Sequence, residues 1–293
     1  IGPRSFILPG GTNIRAFGTF EQPNPFAGYL ALIAPVALGV ILSRIQGLRR
    51  GKHNSIAFYA ILLTSFLALA LGLAAIWASF SRGAWIAVAA ALVATIVLLS
   101  KRAAGLFALA VVLVIVVALL GELNLIPPIV ADRFSAVADY VGVFDVRGVT
   151  VNDTNYAIVE RMAHWQAAWD MFLDHPWLGV GFGNYAVAYP AYSLPRWDDP
   201  LGHAHNYFLN VLAETGAVGA FAYFGLWVAI FALGWRAVRR GNSAWRPVAA
   251  GLCGALVALT IHNLFDNLFV HSMQIQVGIT LGLLANIAER KWQ

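Results

Sequence analysis

Residues Ile56–Ser100 read IAFYAILLTSFLALALGLAAIWASFSRGAWIAVAAALVATIVLLS, and the one charge among them is Arg82. Two apolar runs, Ile56–Ser79 and Ala84–Ser100, flank a very short turn at Ser81-Arg82-Gly83. A helical membrane span needs about 20 mostly apolar residues. Each run therefore reads as a span, with Arg82 at the bilayer surface between them. Trp77 and Trp85 flank the turn, where aromatic residues of an interface belong.

The same pattern recurs along the chain. Phe26–Ser43, Ala103–Leu120, Tyr207–Leu233, Pro247–Asn263 and a short run, Met273–Ile287, are further candidate spans. The expected fold is an all-α polytopic membrane protein with about seven transmembrane helices and one long loop. Composition agrees. Hydrophobic residues make up 60% and charged residues 11%, against roughly a quarter charged in soluble domains. The organisation divides into 1–120 (an N-terminal segment and four spans), 121–206 (the loop) and 207–293 (three spans). Cys253 stands alone in an apolar run, so neither an internal disulfide nor a cysteine metal site is possible.

Charge orients the spans. Arg44, Arg49, Arg50 and Lys52 follow the first, and Lys101 and Arg102 follow the third. Arg236, Arg239, Arg240 and Arg246 follow the fifth, and Arg290 and Lys291 the seventh. Alternation puts all of these on one side, the cytoplasmic side by the positive-inside rule. Among the acids only Glu289 falls there. The net charge of +5 thus reports topology, not nucleic-acid binding.

The opposite side carries Arg4, Arg15, Arg82, Arg133, Arg147, Arg161 and Arg196. Arginine near hydrocarbon is costly unless partnered, so Arg82 reads as a clamp on an anion or as a snorkelling side chain. Arg15 has a headgroup contact as its alternative, and Arg161 an ion pair with Glu160 or Asp170. Met162, Trp165, Trp169 and Phe172 recur at helical spacing, His175-Pro176 ends that helix, and Gly179–Asn184 reads as a glycine-rich turn. His203 and His205 lead into the fifth span, where a neutral imidazole suits proton transfer; helix capping is the bland alternative. A metal pair is disfavoured, because no third ligand follows at ligand spacing and Asp198-Asp199 is a weak partner. His262 and Asp266, four apart, read as a buried hydrogen-bonded pair.

These residues together resemble a known family. His205-Asn206, nine residues, then Gly216-x-x-Gly219 is similar to the signature of bacterial O-antigen ligases, which share a superfamily with O-antigen polymerases and some protein O-oligosaccharyltransferases. Arg15-Ala-Phe-Gly18-Thr-Phe with Pro23-Asn24, Ser81-Arg82-Gly83-Ala-Trp, and Arg161…Trp165 with His175-Pro176-x-x-Gly179-x-Gly181 resemble further stretches of that family. The resemblance implies a GT-C-like glycosyltransferase without metal or other cofactor, in the bacterial inner membrane with its site facing the periplasm. Its donor would be a glycan on undecaprenyl diphosphate and its acceptor lipid A–core or another glycan. Arg82, Arg161 and Arg15 would bind the diphosphate and His205 would activate the acceptor hydroxyl. Asn206, His203, Gly216, Gly219 and Asp266 would support them. The resemblance also implies ten or more spans, so seven would make this an N-terminally truncated example. No carboxylate pair suited to glycoside hydrolysis stands out, which favours direct displacement with inversion. A polymerase differs only in acceptor. A lipid-linked sugar transporter would need charges at the bilayer midplane, and the spans hold almost none.

Overall fold

The computed structural model describes residues 14–51, 55–109, 111, 145–152 and 155–290. The protein is an all-α polytopic membrane protein. Five described helices are long and apolar enough to cross a bilayer: α1 (Pro23–Arg49), α2 (Ile56–Ala78), α3 (Arg82–Leu99), α6 (Tyr207–Arg240) and α7 (Trp245–His262). Between α3 and α6 lie α4 (Tyr156–Asp174) and the short α5 (Tyr185–Ala188), and α8 (Met273–Glu289) is the last of the described helices. At 17 residues, α8 is one residue shorter than α3 and α7 and stands at the lower end of the length a span needs. Of the expected fourth span, Ala103–Leu120, residues 103–109 are helical and most of the rest lies outside the described residues. The expected count of seven is therefore not reached among the described residues.

α7 is the central post and packs most closely against α1 and α3. Its sequence explains this. Ala249, Ala250, Gly251, Gly254, Ala255 and Ala258 are all buried, and small residues let helix backbones approach where no hydrophobic effect drives them together. α2 is peripheral, with Leu63, Phe66 and Leu71 exposed to what the bilayer supplies. α6 packs against α4, α7 and α8.

Tyr207–Leu233 reads as one continuous span, but α6 breaks at Gly216, whose φ is 61° and ψ −165°. The break is stitched to the glycine-rich turn. Ala213 O and Glu214 O, which lose their helical donors, accept from Val180 N–H (2.9 Å) and Gly181 N–H (3.0 Å). Ala217 N–H and Val218 N–H donate to Pro176 O (2.8 Å) and Trp177 O (3.2 Å). A Cβ on Gly216 would collide with the Trp177–Leu178 backbone, and one on Gly179 with the Glu214–Thr215 backbone. Gly219 leaves room for the Thr215 side chain.

The stripe on α4 also differs in part from expectation. Met162 and Trp165 are buried, but Trp169 is 46% exposed. The buried face is instead completed by Val159, Ala163, His164, Ala167, Ala168 and Met171.

Candidate functional site

Four chain segments meet at the end of the bundle opposite the basic helix ends. The first is the lead-in to α1, where Ala16 N–H donates to Ala78 O (2.9 Å). This lays Arg15 across the α2–α3 turn. Its Nε donates to Ser79 O (2.7 Å) and its Nη2 to Asn24 Oδ1 (3.0 Å). The second is the turn itself, with Arg82 as the first residue of α3. The third is α4, on which Arg161 Nε donates to Phe265 O (3.2 Å) and Nη1 to Ala157 O (2.9 Å). The expected ion pair of Arg161 with Glu160 or Asp170 is absent among the described residues, because these carbonyls hold the guanidinium away from them. The fourth is the α7–α8 loop carrying Asp266.

Arg15, Arg82 and Arg161 line a cavity of about 380 Å³ together with Asn24, Asp266 and His262. Phe80, Ile86, Met162, Trp165 and Phe265 supply its apolar wall. Burial, then Arg161 and Arg82, lower the pKa of Arg15, and Asp266 opposes them. Such crowding of like charge is what an anion would relieve.

Asp266 is buried and held at both oxygens. Oδ2 accepts from Asn24 Nδ2 (2.9 Å) and Oδ1 from Asn267 N–H (2.9 Å). Oδ1 also lies 3.6 Å from His205 Nδ1 and 3.9 Å from His203 Nε2. Burial alone would raise the carboxyl, but His205, His203 and Arg161 outweigh it and hold the group well below the usual carboxylate range.

His205 is one side chain removed from the cavity. It adjoins Asp266, and its carbonyl accepts from Trp165 Nε1 (3.4 Å). Both ring nitrogens are buried without a hydrogen-bond partner. Its backbone takes φ 51°, a left-handed value that costs a non-glycine residue about 1–3 kcal/mol. Neighbours enforce it. Asn206 is the N-cap of α6, accepting from Phe208 N–H (3.0 Å) and Leu209 N–H (3.2 Å). Asn210 Oδ1 accepts from Ala204 N–H (3.1 Å), and Tyr207 N–H donates to Asn263 O (2.8 Å). The cap is thus Asn206, not a histidine.

The expected side-chain pairing of His262 with Asp266 does not form; the two are joined only through the backbone, Asp266 N–H donating to His262 O (3.1 Å). α7 ends at His262, and the turn that follows swings the carboxylate toward His203 and His205. His262 Nδ1 is left buried without a partner.

A third ligand-type group does join the histidines, against expectation. His203, His205 and Asp266 each offer a ligand atom, all within 4.8 Å of one another. Sequence spacing hides this, because Asp266 arrives from the far side of two spans. The donor set fits a metal poorly. His203 Nδ1 accepts from His205 N–H (3.0 Å), so a neutral His203 carries its proton on Nε2, the atom facing Asp266. Metal-bound histidines instead donate from the second nitrogen. Burial, with His205 next, lowers the His203 pKa to about 4.

The O-antigen ligase family model, Wzy_C, matches residues 65–224, more than half of the chain. The chain belongs to the O-antigen ligase family. It is a membrane enzyme of the O-antigen ligase and polymerase type. Comparison with curated proteins found no match. The part matched to O-antigen ligases takes in Arg82, Arg161, His203, His205, Gly216 and Gly219, whereas Arg15, Asn24, His262 and Asp266 come to the cavity from outside it. Gly216 and Gly219 lie at the α6 break and do not line the cavity. Of the other arginines on this side, Arg147 faces Asp145 (3.7 Å), Arg196 is exposed, and Arg4 and Arg133 lie outside the described residues.

Sequence reasoning missed two site residues. Asn24 bridges Arg15 to Asp266, but the resemblance quotes it only beside Pro23 and gives it no role. His164 is buried, stacked on Tyr189 at 4.7 Å and edge-on to His205 at 5.6 Å. Its Nδ1 lies 3.0 Å from Tyr185 Oη, and burial, with His205 next, lowers its pKa to about 4. A histidine three residues after Arg161, inside the buried stripe, was the signal available.

Proposed function

We propose that the protein transfers a glycan from undecaprenyl diphosphate to an acceptor hydroxyl, as the ligation of O-antigen to lipid A–core, without a metal and with inversion. The observation that carries this reading is the cavity, where three guanidinium groups share space with an apolar wall beside Asp266 and His205. That mixture suits a lipid diphosphate. Arginine forks pair with phosphate oxygens, and fixed positive charge in a poorly hydrated site favours a transition state in which negative charge grows on the leaving group.

In the step itself, the acceptor oxygen forms a bond to the anomeric carbon as the bond from that carbon to the phosphate oxygen breaks. The lipid diphosphate leaves against Arg82, Arg161 and Arg15. The hydroxyl proton passes to His205 Nε2, with Nδ1–H turned to the Asp266 carboxylate, an arrangement that orients a base and stabilises its protonated form. The 3.6 Å separation exceeds a hydrogen bond, and catalytic hydrogen bonds are often long before substrate binds. Because Nε2 is covered, the acceptor reaches it only as neighbouring side chains shift. The His203 tautomer supports a metal-free reading. The side-by-side basic helix ends support a site facing the periplasm of the bacterial inner membrane.

The test is transfer in vitro by the full-length protein from a purified lipid-linked glycan, with EDTA present, alongside folded Arg82→Ala and His205→Ala variants. Transfer to lipid A–core that survives EDTA and is lost in both variants is the expected result. Lengthening of the donor glycan instead would make the enzyme a polymerase. Full activity of the His205 variant would remove the base.

A further inference from the structure

Apolar side chains crowd a segment outside every membrane-spanning helix. In the loop between α4 and α5, Trp177 and Leu178 are each 72% exposed and Phe182 is 84% exposed. No Asp, Glu, Lys or Arg occurs from His175 to Asn184. Large apolar side chains so exposed, in a stretch without charge, mark an interaction site.

The backbone says what covers it. Pro176 and Trp177 carbonyls accept from Ala217 and Val218, the first N–H groups of α6 after its break. On that half of α6, Val218 is 57% and Phe221 84% exposed, and this helix is one of the apolar spans. The loop's apolar side chains therefore continue the lipid-facing surface of α6.

Depth follows from helix geometry. At 1.5 Å per residue, a helix crosses a ~30 Å core in about 20 residues. Counting back that far from Arg236, the first charged residue at the basic end of α6, reaches Gly216. The break and the loop bonded to it thus stand at the hydrocarbon boundary of the opposite leaflet. Trp235 is exposed at the basic end, with Arg239 over its ring at 5.7 Å, and Trp177 is its counterpart across the bilayer. Paired aromatic residues at the two interfaces are typical of a span. Irregular backbone at such depth is tolerated when its polar groups are bonded within the protein, and the four bonds to the α6 break meet that condition.

We infer that residues 175–183 form a membrane-seated loop whose Trp177, Leu178 and Phe182 side chains rest among the lipid acyl chains just below the headgroups. The loop fixes the depth of the Gly216 break. Through α4, whose first turns line the arginine cavity, it also fixes the depth of that cavity relative to the lipid. The inference does not depend on the reaction catalysed.

Nitroxide labels at Leu178→Cys and Phe182→Cys test it, in the full chain reconstituted in phosphatidylethanolamine–phosphatidylglycerol bilayers. Cys253 is buried and stays in place. Phe221→Cys serves as the lipid reference and the exposed Asp198→Cys as the water reference. Power saturation compares collision with oxygen, which concentrates in lipid, and with a water-soluble nickel chelate. The expected oxygen-to-nickel ratio at both loop positions exceeds Asp198→Cys several-fold and reaches up to that of Phe221→Cys, which lies five residues past the break, about 7 Å further into the core. A ratio equal to that of Asp198→Cys would put the loop in water and overturn the inference. Shielding from both agents would overturn it too, showing that a protein surface, not lipid, covers the patch. Melting temperatures equal to that of the parent protein confirm that the labelled chains are folded.

Discussion

At the scale of the residue, Asp266 joins the two halves of the site. One oxygen is tied through Asn24 to Arg15 on the cavity side, and the other faces the two imidazoles. A carboxylate held well below its usual range stays charged throughout the neutral region, and it can compensate an imidazolium formed beside it. Asp266→Asn keeps the shape and removes that charge. We expect turnover to fall by about 10²-fold or more, within the range a positioned base supplies, while the donor KM changes little because the three arginines remain. Steady-state transfer kinetics on the folded variant check this; turnover within twofold of the parent would place Asp266 outside the reaction. Part of this was legible. Arg82 and His205 stand out because polar residues beside apolar runs are costly and few. The partner of Asp266 was not legible, since the i, i+4 rule places two side chains on one face only within a regular helix, and past the end of α7 just the backbone bond from Asp266 N–H to His262 O (3.1 Å) survives.

At the scale of the element, the two glycine motifs turn out to be one structure. Gly179 belongs to the turn after α4 and Gly216 to the signature after His205, and each reads separately as a local bend. Their contact was hidden because backbone-to-backbone bonds leave no mark on hydrophobic periodicity. Gly216 combines a φ and ψ reserved almost wholly for glycine with a neighbour backbone where a Cβ would sit. Gly183 has φ 77° with nothing within 4 Å of its would-be Cβ. Gly183→Ala should therefore cost only the ~1–2 kcal/mol of a left-handed alanine. Gly216→Ala should cost more than that, because backbone on both sides must also move. Thermal melting in detergent ranks the two; equal melting temperatures would mean that the stitched break does not contribute to stability.

At the scale of the whole molecule, the helices sort into two ends. Arg15, Ser79, Arg82, His205 and Asp266 gather at one. At the other, Arg240 Nη1 donates to Ala288 O (3.3 Å), which brings the basic end of α6 to the end of α8. This sorting is made by contacts, and it agrees with the alternation read from the charges alone. The agreement has a simple cause: an apolar run of about 20 residues cannot stop inside the bilayer, so each span delivers its flanking charges to a definite side. The number of spans was less legible, because a helix such as α8 carries the right composition at a marginal length. The orientation of the two ends yields a direct expectation. In a single-labelling series, Ser193→Cys on the site's end should react with a membrane-impermeant maleimide in intact bacterial cells whose outer membrane is permeabilised. Asn242→Cys, between α6 and α7 at the basic end, should react only after the inner membrane is broken. Cys253 is buried and gives no competing signal. The reverse pattern would put the arginine cavity in the cytoplasm, where a donor presented on the periplasmic leaflet could not reach it, and the proposed reaction would fall with the orientation.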